Sequence, residues 1–220
     1  MINNMVYNFL DSNLFQTLVL IATAGITIWI YFARRKANVR TAVIILTLQI
    51  RDIEKNIEYL LSEGIVDGKI QEKPLHYSTL IYEENNWTKY SHLVVGKISQ
   101  LSFENIDIFF KVAQQIREQQ ILIKNKLQQS MEYKGMHYYQ GTYQCVNSLV
   151  SKYESEANAD VLKLQCKKEI EFVNSLYASA DINVPPYIQQ ELTFGLEKTL
   201  KKYHKLTDGT AYAELEKLKK

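Results

Sequence analysis

Residues 14–33 read LFQTLVLIATAGITIWIYFA, a run of twenty residues without a formal charge. Most of them are Leu, Ile, Val, Ala or Phe. At about 1.5 Å of rise per residue, a helix of this length covers the roughly 30 Å hydrocarbon core of a bilayer. A helix also satisfies its own backbone hydrogen bonds in lipid. The run therefore predicts a transmembrane helix over 14–33, with the lipid bilayer as its partner.

The C-terminal end of this run predicts the orientation of the span. Aromatic rings settle at the headgroup level, and Lys and Arg are retained on the cytoplasmic side. Residues of both kinds mark this boundary, namely Trp29, Tyr31, Phe32, Arg34, Arg35, Lys36 and Arg40. We expect an extracytoplasmic tail over 1–13, a basic stop over 34–40, and the rest of the chain on the cytoplasmic face of an inner membrane.

A cleavable signal peptide is the main alternative for this segment. Signal peptides carry a basic region before a shorter apolar run, and a small-residue cleavage site after it. Residues 1–13 hold no Lys or Arg, and their only charge is Asp11. The cations follow the run instead, which favours a retained anchor.

After the basic stop, apolar residues recur at alternating spacings of four and three. This core stripe comprises Val39, Val43, Leu46, Ile50, Ile53, Ile57 and Leu60. The pattern is that of the a and d positions of three heptads, and it predicts a helix packed lengthwise on another. A dimer and an intramolecular bundle both explain it. The helices predicted downstream favour the bundle.

Turn and capping residues divide the remaining chain. We expect the first helix to end at Gly64 and Gly68, a loop over 65–75, and one or two short helices over 76–98 with a break at Asn85-Asn86. A strand that starts at Leu93-Val94-Val95 is the alternative for the end of this segment. Ser102 predicts the N-cap of a helix over Phe103–Lys134 that lies antiparallel to the first. Gly135 and Gly141 then predict a helix corner.

Further helices are predicted over 145–153 and 158–177, and another opens at Pro185-Pro186 because proline suits the first helical turn. Asp208-Gly209 ends that helix, leaving a charged, frayed end over 208–220. The fold class is therefore all-α: one N-terminal transmembrane helix continues into a cytosolic helical bundle over 41–207 with coiled-coil-like packing.

Charge and cysteine content limit the functions open to the cytosolic part. Lys and Arg total 26, and Asp and Glu total 24; without the four juxtamembrane cations and Asp11, 22 positive residues face 23 negative ones. This balance argues against a nucleic-acid surface. Cys145 and Cys166 lie far apart in sequence and outside any CxxC motif, as free thiols would.

Motifs of catalysis are absent from the sequence. The four histidines stand far apart, and no Cys/His spacing typical of zinc occurs. The glycine-rich phosphate loops and the GxSxG nucleophile elbow are also missing. We therefore expect no enzyme, no cofactor and no metal.

The most unusual composition lies over 133–143, where tyrosines cluster between glycines. Tyrosine offers rigid, amphipathic area for a partner or a ligand. The candidate surface comprises Tyr133, His137, Tyr138, Tyr139 and Tyr143. Alternatively, these rings lie at a helix corner and pack against the end of the bundle. A lysine face over 198–205 is interpreted as a solvated surface, with anionic lipid or an acidic partner as its alternative.

These features lead to two functional hypotheses. The first is a single-pass, membrane-anchored helical subunit that recruits or assembles partners, or copies of itself, at the cytoplasmic face. The second is a membrane-tethered sensor–effector of the stress or phage-defence type, in which ligand binding near 133–143 changes assembly and perturbs the membrane.

Overall fold

A computed structural model describes residues 13–153, 159–177, 182 and 184–219. It is 82% helical and 2% strand, with seven helices. The predicted all-α class is therefore confirmed. The predicted extracytoplasmic tail lies, except for residue 13, outside the described residues.

The elements follow one another in a simple order. Helix α1 spans Asn13–Tyr59, a single π-helical turn follows over Leu60–Gly64, and strands β1 (Ile65–Val66) and β2 (Lys69–Ile70) pair antiparallel. The remaining helices are α2 (Glu72–Tyr77), α3 (Asn86–Val94), α4 (Gln100–Tyr153), α5 (Ala159–Tyr177), α6 (Pro186–Leu200) and α7 (Thr210–Lys217).

The chain divides into two compact units. The first comprises Met1–Ile50, Asn85–Asp107 and Leu206–Lys220. The second comprises Arg51–Glu84 and Ile108–Lys205. Helices α1 and α4 each contribute to both units.

In the first unit, the predicted break at Asn85 is a helix cap. The Asn85 carboxamide oxygen accepts the backbone N–H groups of Trp87 at 3.0 Å and Thr88 at 3.4 Å, so it satisfies two of the free donors at the start of α3. The buried Trp87 indole donates to the Asp107 carboxylate at 2.9 Å, and its ring lies 4.9 Å from that of Phe103. These contacts fix α3 against the start of α4.

The start of α4 is capped from the C-terminal helix. The Glu214 carboxylate accepts the Ser99 backbone N–H at 2.8 Å and the Ser99 hydroxyl at 3.0 Å. Ser102, the predicted N-cap, already lies inside the helix and is buried. The expectation of a frayed end was also wrong, because Ala211, Tyr212 and Leu215 of α7 are buried.

In the second unit, a segment that we call the strap, residues 76–84, runs along α4. The Lys124 ammonium donates to the His76 carbonyl at 2.6 Å, the Gln120 amide donates to the Thr79 carbonyl at 2.7 Å, and the Arg117 guanidinium donates to the Tyr82 carbonyl at 3.0 Å. As residue numbers fall along α4 they rise along the strap, so the two run antiparallel.

The same segment also runs antiparallel to the end of α1. The Leu75 side chain, one residue before the strap, lies against Gly64. The Asn56 amide donates to the Ile81 carbonyl at 3.3 Å. In this unit α1 and α4 are therefore parallel, and the predicted antiparallel pairing was wrong because the chain returns through the strap before α4 begins.

Two further sequence expectations were wrong for local reasons. Residues 65–75 are not a loop: Asp67 and Gly68 adopt φ of 51° and 68°, the left-handed values of a tight hairpin turn, and α2 follows. No corner forms at Gly135 and Gly141, because α4 continues through both as one helix of 54 residues.

The distal half of α4 pairs with α5 as an antiparallel hairpin. The Tyr138 hydroxyl donates to the Asn174 carboxamide oxygen, and the Tyr138 ring lies 5.7 Å from that of Tyr177. Helix α6 starts at Pro186, as predicted, and its Thr193 hydroxyl accepts the backbone N–H of Ile70 at 3.2 Å. The helix predicted from residue 158 begins at Ala159 within the described residues.

Candidate functional surfaces

Helix α1 presents a long apolar surface, and every residue over 18–33 is exposed in the part of the chain that the structure describes. Its most apolar 18-residue window has a mean hydropathy of 1.7, and none of that window is buried. Trp29 is 71% exposed and Phe32 is 58% exposed. The helix is thus long and apolar enough to cross a membrane, and its apolar window is not buried as that of a soluble core helix would be.

Two threonine hydroxyls within this surface bond back to carbonyls of their own helix. The Thr23 hydroxyl donates to the Val19 carbonyl at 2.7 Å, and the Thr27 hydroxyl donates to the Thr23 carbonyl at 2.8 Å. Neither hydroxyl then needs water, which suits a helix in hydrocarbon. Tyr31 is also exposed, and so are the cations that follow it on the same helix, namely Arg34, Arg35, Lys36 and Arg40.

The core stripe begins where the exposed surface ends. Every one of its residues is at most 6% exposed within a single chain, namely Val39, Val43, Leu46, Ile50, Ile53, Ile57 and Leu60. The stripe is thus covered by the chain itself. Glu54 on the same helix is also buried, at 3% exposure.

The tyrosine-rich segment lies on one helix and faces several directions. Tyr133, Tyr139 and Tyr143 are 61%, 75% and 70% exposed. His137 is half-buried and its ring lies 4.3 Å from that of Tyr133. Tyr138 is held by α5. The five residues therefore do not form a single site.

Tyr133 lines a cavity. The cavity is open, has a volume of about 640 Å³ and lies between α4, α5 and α6. Tyr177 and Tyr187 also line it, together with the cationic side chains of Lys126 and Lys134. Aromatic faces and ammonium groups together suit a ligand that is both planar and anionic.

A second cavity of about 740 Å³ continues from the first along α6. The two share Lys126, Tyr187 and Ile188, and the second reaches Lys198 and Lys202. Together they form one groove. At its floor α6 approaches α4 closely, since a Cβ atom on Gly195 would lie 2.7 Å from the Gln119 carboxamide oxygen.

The lysine face over 198–205 makes ordinary surface contacts. The ammonium of Lys201 lies 3.6 Å from the Glu197 carboxylate, Lys202 donates to the Gln115 side chain at 3.1 Å, and Lys205 pairs with Glu58 at 3.0 Å. Exposed pairs of this kind each contribute little to stability, typically about 0–1 kcal/mol.

Cys145 and Cys166 are free thiols on the α4–α5 hairpin. Burial raises the pKa of the Cys145 thiol, and the nearby negative charge of Glu169 raises it further. A thiol with a raised pKa is a poor nucleophile. Within 13–153, 159–177, 182 and 184–219, no three His, Cys, Asp or Glu side chains come together in a group that could hold a metal ion.

Sequence reasoning missed the cavity because its lining comes from three helices far apart in the chain. No sequence motif marks Tyr177 or Tyr187 as a binding residue, and nothing in the sequence distinguishes Lys126 from a lysine on a solvated surface. No protein-family model, no curated protein and no solved structure matches this chain. Its function must therefore be argued from its own surfaces.

Proposed function

We propose that this chain is a single-pass membrane protein whose helical domain recruits or assembles protein partners at the cytoplasmic face of the inner membrane. The observation that carries the proposal is the exposed apolar surface of α1, which a lipid bilayer would cover. The cations that follow it support an orientation with the N-terminus outside.

The continuity of α1 argues for a retained anchor rather than a cleaved signal. The helix runs without a break from the apolar surface through Arg34 and Arg35 into the core stripe, over 47 residues. Signal peptides are cleaved after small residues in an accessible segment. Here the chain at the end of the apolar run is helical and basic.

Fractionation of cells that express the tagged full-length chain tests the anchor. We expect the protein in the membrane pellet, resistant to alkaline carbonate and released by mild detergent. Lys substitutions at Leu20 and Ile26 should shift the protein to the soluble fraction, since a lysine at the helix centre costs roughly 2.5–3.5 kcal/mol. The matched control carries N38K and T41K, two exposed positions beyond the span.

The outcome that contradicts the anchor is a soluble wild-type protein, or a mature chain that lacks the apolar run. Purification from native membranes then tests the recruiting role. We expect either a homo-oligomer or a stoichiometric companion chain, read from particle mass by light scattering. A monomer without a companion contradicts the recruiting role.

The cavity lined by Tyr133, Tyr177 and Tyr187 favours a second candidate function, that of a sensor–effector. In this alternative, a planar anionic ligand binds between the tyrosines and the ammonium groups of Lys126 and Lys134, and binding changes assembly at the membrane. We expect growth arrest on expression that is lost in the L20K/I26K variant and retained in the N38K/T41K variant. Normal growth with the wild-type chain argues against this alternative.

A further inference from the structure

The distal half of α4 carries a second heptad pattern that the fold leaves uncovered. We call Met136, Tyr139, Tyr143, Val146 and Val150 the distal stripe; their spacings are three, four, three and four. Met136 is 48% exposed, Tyr139 is 75% exposed, Tyr143 is 70% exposed and Val150 is 45% exposed. Val146 is half-exposed. Such a stripe is the seam of a helix that packs lengthwise on another helix.

Helix α5 does not cover this seam because it occupies another face of α4. The residues that meet α5 include Tyr138, at its contacts with Asn174 and Tyr177, and Gly141, 3.9 Å from Val173. At 100° per residue, the distal stripe is centred about 150° around the helix from the face that carries Tyr138 and Gly141. The two faces are therefore separate.

The charge pattern of α4 changes where the distal half begins, between residues 134 and 135. Residues 100–134 contain nine Asp, Glu, Lys and Arg residues, whereas residues 135–151 contain none. An exposed helix without charged residues is unusual, because charged side chains normally keep such a surface soluble. Two identical helices can meet along this segment without placing like charges opposite each other.

We propose that the distal stripe binds the distal stripe of a second copy of this chain, as a parallel, two-fold helix pair. The positions that flank the seam, Gln140, Thr142 and Asn147, are neutral, so the e and g charges that usually select an unlike partner are missing. This inference rests on the proposed function, because an anchor that all copies share places their helical domains on the same side of one membrane.

The anchor also compensates for the small size of the contact. Five residues over four turns bury less area than a stable soluble dimer requires. Confinement to a membrane raises the effective concentration of one copy near another, as a linker does between two binding modules. The pair should therefore form among anchored chains and weaken on dilution in detergent.

Cysteine cross-linking of the full-length chain in native membranes tests the contact. In a C145S/C166S background, M136C and V150C should each form a disulfide-linked dimer on oxidation, since equivalent residues lie opposite each other in a parallel pair. S148C is the control, because Ser148 is exposed on the opposite side of α4, two residues from Val150. It should remain a monomer.

Three results would overturn the proposal. One is the absence of a dimer from both M136C and V150C. Another is a dimer that forms only when the two variants are mixed, which indicates an antiparallel pair. The third is cross-linking of V150C to a chain of different mass, or equal cross-linking of S148C.

A second measurement tests the helix contact independently of the membrane anchor. Y139K/Y143K should halve the particle mass measured by light scattering just after extraction, whereas Q144K/S148K on the other side of α4 should not. A membrane-bound protein that forms no M136C or V150C dimer within the membrane refutes the contact and leaves the anchor intact. A soluble dimer that Y139K/Y143K dissociates refutes the anchor and leaves the contact intact.

Discussion

The Gln120 side chain lies wholly inside the second unit, with 0% of its surface exposed. Its carboxamide oxygen accepts the Ile81 backbone N–H at 3.0 Å, and its amide donates to the Ser78 hydroxyl at 2.9 Å and the Thr79 carbonyl. Gln120 thus satisfies backbone groups of the strap at Thr79 and Ile81.

Replacing Gln120 with Leu should therefore destabilise the protein more than its hydrophobicity suggests. The substitution leaves the buried N–H of Ile81 without its acceptor, and an unsatisfied buried group costs about 1–3 kcal/mol. We expect a melting temperature several degrees lower, measured by circular dichroism in detergent. Gln114→Leu is the control, since Gln114 is exposed and bonds only to Glu118. An equal effect of both variants would contradict the role of Gln120.

Glu214 links the stability of the first unit to pH. The backbone hydrogen bond from Ser99 lowers the pKa of this carboxyl below its ordinary value of 4.5, and the bonds with the Ser99 and Ser102 hydroxyls lower it further. A lowered pKa means that the folded state favours the carboxylate. The stabilisation is thus present above pH 4.5 and is lost as the pH falls through the folded-state pKa.

Glu214→Gln should accordingly lower stability near neutral pH and flatten the acid limb of the stability curve. The measurement is the denaturation midpoint in urea between pH 7 and the acid limit of folding. Glu104→Gln serves as the control, because Glu104 is exposed and accepts a hydrogen bond from Gln100 on its own helix. An unchanged acid limb in the Glu214 variant would show that this cap does not couple folding to protons.

At the scale of elements, the sequence predicted where helices α3 and α6 begin, but not how far α4 extends. Asn85 and Pro186 open helices within a residue of their predicted positions, since a cap or a proline acts through its immediate neighbours. Gly135 and Gly141 were predicted to end a helix and do not. A glycine inside a helix costs about 1 kcal/mol, which a long helix paired with α5 can absorb.

The Gly135→Ala substitution distinguishes a continuous helix from a corner. Nothing lies within 4 Å of a Cβ atom at this position, so alanine should stabilise α4 by about 0.5–1 kcal/mol through its helix propensity. The Gly68→Ala control should destabilise the protein, because Gly68 has a φ of +68°. Both effects would appear as shifts of the urea midpoint. A loss of stability in Gly135→Ala would indicate a corner there.

The direction of α4 could not be predicted from local patterns. A heptad pattern such as the core stripe requires only that another helix pack on it. A parallel neighbour and an antiparallel neighbour both meet this requirement. The path of the strap decides between the two, and its hydrogen bonds depend on Gln120 and Lys124, two of many polar residues on α4. The same reasoning applies to the cavity, whose three tyrosines meet only in the folded chain.

For the whole molecule, the central feature is that the apolar surface and the buried core stripe belong to one helix. Residues 16–38 are exposed, and Val39 is the first residue of the core stripe, at 6% exposure. The packed part of the first unit thus begins within two turns of the cations that follow the span. If this helix spans a membrane as proposed, a rotation or tilt of the span would change the packing of α1 in the first unit.

The orientation of the proposed anchor follows from the same cations and gives the final prediction. In spheroplasts, external protease should remove an N-terminal tag and leave a C-terminal tag intact. Changing Arg34, Arg35 and Lys36 to Gln while adding Lys at Asn3 and Asn4 should reverse this for part of the population, since retained cations set orientation. The control K201Q/K202Q removes two cations far along the chain and should change nothing. A wild-type C-terminal tag that the protease removes would place the helical domain outside, and with it any partner that the domain recruits.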